Sequence, residues 1–119
     1  MSGFKSLTVW QKSHELVLEV YKRTRSFPSD ERFCMTQQMR RAAISIAANI
    51  AEGSKRRSDK DYCHFLNMSE GSLEELKYYL VLSRDLKYLR EEFYLKLFSF
   101  SEEVGRLLNG FVKRLRTAQ

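Results

Sequence analysis

The chain has 119 residues, 43% of them apolar and 30% charged, which suffices for one domain with a modest core. Its 21 Lys and Arg against 15 Asp and Glu leave a net charge of +6, a balance that favours polyanionic partners without requiring one. No apolar run approaches the ~18 residues of a membrane-spanning helix, and two cysteines with no secretory signal before them fit a reduced, cytoplasmic setting.

Residues 1–7 read as a short lead-in. Thr8 is a candidate N-cap. Trp10, His14, Val17, Tyr21 and Thr24 then follow at 4-3-4-3 spacing with Leu16 and Val20 beside them, which predicts an amphipathic helix over about residues 8–25. Phe27-Pro28 ends it, because proline disfavours helix in the residue before it. A one-turn or irregular segment covers Ser29 to Met35. Thr36 is the expected cap of a second helix, about residues 36–53. That helix carries Arg40 and Arg41, then a run of small and apolar residues in which Met39, Ala43, Ile46 and Ile50 trace one face. Its alanines let other backbones approach closely. Gly53 is expected to stop it in the left-handed C′ conformation. Ser45 and Asn49 share a face; they either fix register by hydrogen bonds to neighbouring helices or mark a polar binding seam.

Ser58, with Asp61 three residues on, gives a capping-box pattern for a third helix, about residues 58–85. Tyr62, Leu66, Ser69, Leu73, Leu76, Leu80 and Ser83 keep a 4-3 alternation along it, and its small serines suit bulkier residues on a partner helix. Leu86 to Arg90 makes a tight turn. Phe93, Leu97, Phe100, Val104, Leu107 and Phe111 then predict a fourth helix, about residues 91–116, with Tyr94 and Phe98 off its core stripe, as Tyr78 is on the third helix. Four helices with short connections predict an all-α, antiparallel up-down-up-down bundle.

In that topology one end gathers Lys5, Lys12, Lys55, Arg56, Arg57, Lys60, Lys113, Arg114 and Arg116. Only Glu52, Asp59 and Asp61 oppose them, so nine cations less three carboxylates equals the surplus of the whole chain. Such an end either binds a polyanion or is a solvated, solubilising face. If it binds, Lys55, Arg56, Arg57 and Lys60 form the centre, flanked by Arg114 and Arg116. A scaffolding bundle that binds a protein partner is the alternative.

Catalytic chemistry is not indicated. His14, His64, Cys34 and Cys63 are the candidate zinc ligands, but no CxxC or HxxxH spacing occurs, so neither metal nor cofactor is expected. No Glu-x-x-His motif accompanies the glutamates of the third and fourth helices. No glycine-rich phosphate loop is present, and nothing suggests a converging Ser/His/Asp triad.

Three segments, LTVWQKSHELVLEVY (Leu7–Tyr21), FPSDERFCMTQQMRRAAISIAANIAEG (Phe27–Gly53) and GSLEEL (Gly71–Leu76), resemble the four-helix-bundle proteins encoded in 23S rRNA intervening sequences. The likeness spans roughly the whole chain and is strongest from Gln38 to Gly53. It implies a four-helix bundle that assembles as a pentameric barrel. It also implies kinship with the accessory variability determinant protein of diversity-generating retroelements, which binds nucleic acid and a reverse transcriptase through a basic surface. The family signature falls on Arg40, Arg41, Asn49, Glu52 and Gly53 and supplies no catalytic residue. The family often has glycine where Cys34 stands and proline where Ala47 stands. A left-handed turn before the second helix is therefore not expected here, and that helix should be straighter.

Overall fold

The computed structural model describes residues 3–118. Among these, four helices form and no strand: α1 Thr8–Thr24, α2 Met35–Gly53, α3 Asp59–Asp85 and α4 Glu91–Thr117. Single 3-10 turns at Gly3–Ser6 and Ser29–Glu31 precede α1 and α2. Met1 and Ser2 of the expected lead-in lie outside the described residues.

The helices run up, down, up and down. Ser83 meets Met39, Ser69 meets Ile46, and Gly53 lies under Tyr62, so α2 and α3 are antiparallel. Tyr94 meets Arg84 and Phe111 meets Tyr62, so α3 and α4 are too. The end of α1 closes on the start of α4 through Arg23, whose guanidinium lies 3.8 Å from the centre of the Phe93 ring. The result is a rod of 46 × 23 × 22 Å.

The core is built from Leu16, Val20, Met39, Ala43, Ile46, Ile50, Leu66, Leu76, Leu80, Val104 and Leu108, all essentially without solvent contact. The expected stripe of α2 is the buried one, as is that of α3 apart from the half-buried Tyr62. Those of α1 and α4 are shifted. In α1 the central line is Val9, Ser13, Leu16, Val20 and Thr24, while Trp10, Val17 and Tyr21 are half-buried and His14 is exposed. In α4 it is Tyr94, Leu97, Ser101, Val104, Leu108 and Val112, with Phe93, Phe100, Leu107 and Phe111 along the edges. Tyr94, expected off the core, is only 8% exposed. Apart from Tyr94 the cause is volume: where four helices meet, a small or branched side chain fits the centre, and a ring reaches in from the flank with its polar edge or outer face toward water.

Five buried hydroxyls sit between these layers and are hydrogen-bonded. Ser13, Thr24 and Ser101 donate to carbonyls one turn back on their own helices. Ser69 donates across the interface to the Ile46 carbonyl at 2.8 Å, and Ser83 to Met39 Sδ. These serines face bulkier residues of α2, as their size implied.

Three expected helix ends form differently. Thr8 is already the first residue of α1, and Leu7 before it offers no side-chain cap. Thr36 is buried inside α2; the first amide of that helix, Met35 N–H, is taken by Glu31 Oε1 at 3.3 Å. Gly53 is not left-handed but is the last residue of α2. Its need for glycine is steric: a Cβ there would stand 2.8 Å from Tyr62 Cδ1 and 2.9 Å from Phe65 Cβ, so the bare backbone lets the start of α3 press against the end of α2. Ser58 caps α3 as expected, accepting from the Asp61 amide at 3.1 Å. Cys34 has φ −129°, on the side open to any residue, and α2 continues unbroken through Ala47.

Candidate nucleic-acid interface

The topology gathers the α2–α3 connection, the first turns of α3 and the last turns of α4 at one end of the rod. Lys55, Arg56 and Arg57 lie in that connection, all exposed. Arg56 is the ordered member. Its guanidinium lies 4.6 Å from the Phe65 ring centre and its Nη2 is 3.3 Å from Glu52 Oε2, so one of the three local carboxylates is already neutralised. An exposed i,i+4 pair of this kind adds only a few tenths of a kcal/mol, about 0.3–0.5, and holds direction more than it stabilises.

Lys60 and Arg116 line one groove of about 380 Å³ together with Cys63, His64 and Asn67. The four α3 residues follow an i, i+3, i+4, i+7 spacing, one helix face. That spacing was readable in the sequence, but only the adjacency of α4 turns the face into a groove. Arg114 lies over Phe111, whose ring meets Tyr62 edge-on with centroids 5.3 Å apart. Guanidiniums over aromatic faces are held in place while their N–H groups stay open to solvent.

Tyr62 is the one residue at this end whose polar atom is fully enclosed without a partner among the described residues. Burial pushes its phenol up to about 12. No sequence pattern signals it, because the enclosure depends on the missing side chain at Gly53.

The signature residues do not form one site. Glu52 and Gly53 belong to the basic end, through Arg56 and Tyr62. Asn49 lies in the α2–α3 seam and donates to Ser45 Oγ at 3.0 Å and to the Ser45 carbonyl, while Ser72 donates to Ser45 Oγ at 2.8 Å. That chain of bonds ties α2 to α3 and is the register-fixing role. Arg40 and Arg41 sit toward the opposite end, about 22 Å along α2 from Lys55 at ~1.5 Å per residue. Arg40 Nε donates to Thr24 Oγ1 at 2.9 Å and its guanidinium stacks on Tyr21. No group of three His, Cys, Asp or Glu side chains suited to a metal ion comes together among the described residues, and none of their helices is long and apolar enough to cross a membrane.

Helix order, packing and site chemistry together define an all-α four-helix-bundle protein with a cationic end. The model of the 23S rRNA-intervening sequence protein family matches residues 5–110, and the chain belongs to that family. It is also similar to a protein of unknown function from the S23 ribosomal protein family of Bacteroides thetaiotaomicron VPI-5482, whose crystal structure at 1.70 Å superposes with a TM-score of 0.80. The two are 29% identical, over 89% of this chain and 99% of that one. No curated protein matches the chain.

Proposed function

We propose that this chain is a non-catalytic cytoplasmic protein that binds structured RNA or DNA through its basic end and works as a homo-oligomeric ring. The observation that carries the reading is the shared groove of Lys60 and Arg116, which brings cations from α3 and α4 to one surface, at the end of the rod where Arg56 is held over Phe65. Phosphate contacts of this kind position a nucleic acid without reading its bases, so selectivity follows from shape. Exposed apolar side chains support self-association. Leu18, Phe33, Tyr78 and Leu95 are each more than half exposed, a large apolar share for a small monomer. A ring, of five copies as the family resemblance implies, repeats the cationic end around a rim and converts weak contacts into avidity.

The test combines a gel shift with light scattering. Wild-type protein should bind a structured RNA with an affinity that falls steeply as salt is added, at a mass several times that of the 14.1 kDa chain. Replacing Arg56 and Arg57 by glutamate should weaken binding on the order of a hundredfold, since each lost phosphate contact is replaced by repulsion, with helicity and mass unchanged. A variant that binds like wild type overturns the interface. A mass near one chain overturns the ring. Wild-type protein that binds neither RNA nor DNA leaves the scaffolding role with a protein partner as the better account.

A further inference from the structure

We propose a second anion site, away from the basic end, that takes a phosphate-bearing nucleotide. It is a depression of about 280 Å³ between the C-terminal half of α1 and the first turns of α2, whose lining includes Arg32, Arg40 and Arg41 with Tyr21, Phe33 and Ile44. The site is independent of the basic end and uses none of its cations; with the self-association reading it shares only the exposed Phe33.

Three observations converge on it. Arg40 is built into place: Nε is fixed by the buried Thr24 hydroxyl, which itself donates to the Val20 carbonyl, and the guanidinium plane lies 4.4 Å from the Tyr21 ring centre. Only one of its five N–H groups is used in that anchorage, and the others remain for a ligand. Second, among the described residues none of the three arginines forms an ion pair; the salt bridges there involve Arg23, Arg56, Lys77, Arg84 and Arg90. Glu31, the acid adjacent to Arg32 in sequence, is committed elsewhere, with Oε2 accepting from the Tyr88 hydroxyl and Oε1 from the Met35 amide. Three arginines gathered without a salt-bridge partner among the described residues make a local positive potential that an anion relieves. Third, Phe33 is 80% exposed at the rim of this depression, with the Arg32 guanidinium 5.6 Å from its ring centre.

Cations that present forked N–H groups suit a phosphate. An exposed ring beside them suits a base, since stacking on an aromatic face needs no particular base identity. The depression is local, running from Thr36 to Ile44 along α2, about 12 Å at ~1.5 Å per residue, and so accommodates a single nucleotide rather than a docked helix. Thr36 and Gln37 also line it. The nucleotide is either free or the phosphorylated end of a strand; the chemistry is the same.

Calorimetric titration with adenosine 5′-monophosphate tests the proposal, using the folded full chain. The nucleotide should bind at least tenfold more tightly than adenosine or inorganic phosphate. Phe33→Ala and Arg41→Ala remove exposed side chains and leave the core intact. Each should weaken binding on the order of tenfold. Glutamate at positions 56 and 57 should leave this titration unchanged, which separates it from the basic end. A 5′-phosphorylated oligonucleotide that displaces the nucleotide, where its unphosphorylated counterpart does not, identifies a strand end as the ligand; displacement by neither identifies the free nucleotide. The proposal is overturned if adenosine 5′-monophosphate gives no heat at millimolar concentration, if phosphate alone binds as well, if neither variant alters binding, or if polyglutamate displaces the nucleotide as effectively as an oligonucleotide does.

Discussion

Tyr62 carries an unusual cost. Its hydroxyl is enclosed with no partner, and an orphaned buried hydroxyl forfeits its hydration without recompense. Tyr62→Phe should therefore stabilise the bundle by about 1 kcal/mol near neutral pH, measured as a higher urea midpoint with an unchanged slope. The same burial sets an alkaline response. An unfolded chain ionises its tyrosines near ~10, whereas Tyr62 in the folded protein holds its proton up to about 12. Below the unfolded value both states keep the proton and pH changes nothing; as pH rises between the two, the unfolded chain ionises first and the bundle loses stability. Tyr79 and Tyr88 are also raised, chiefly by hydrogen bonds to Glu75 and Glu31, so the variant should keep part of the alkaline loss and shed the rest.

The α3–α4 turn shows how an element is ended by something other than its favoured residue. Tyr88 N–H reaches the Ser83 carbonyl and Lys87 N–H the Arg84 carbonyl, a Schellman closure with Lys87 in the left-handed position at φ 65°. Glycine holds that conformation without the ~1–2 kcal/mol that a side chain costs there. Lys87→Gly should accordingly raise stability by about 1 kcal/mol in thermal or urea unfolding. A loss instead would mean that the lysine's aliphatic stem packs against the turn. Helix extents were largely legible in the chain because α3 and α4 keep an unbroken alternation and Ser58 is a true cap. Thr8, Thr36 and Gly53 are residues that favour a helix end, yet Thr8 is already helical and at Thr36 and Gly53 tertiary packing sets the role. Glu31 caps α2 from another turn, and Gly53 makes room for Tyr62.

At the scale of the molecule, Ile46 is where the helices converge, with no solvent contact and the Ser69 hydroxyl on its carbonyl. Ile46→Asp should unfold the bundle, since an unpaired buried charge costs several kcal/mol of a total of about 5–15. Circular dichroism that stays fully helical would refute that. The α2 and α3 faces were readable because their centres are aliphatic. The α1 and α4 stripes were not, because aromatic rings dominate the periodicity while Ser13, Ser101 and Val112 occupy the centre. The basic end was legible as charge, but its groove required Arg116 and Lys60 to meet. The arginine-lined depression was not legible, because it needs Tyr21 of α1 and the segment before α2 to meet Arg40 and Arg41 in space.

The rod is twice as long as it is wide, and its helix order puts nine cations against three carboxylates at one tip. A body of that form has a large dipole moment. Approaching any polyanion, it is turned tip-first by the field before the surfaces touch, so that productive collisions outnumber those of a uniformly charged particle. This orientation operates over roughly a Debye length, ~8 Å at physiological ionic strength. Added salt therefore slows the encounter itself, separately from any weakening of the bound state.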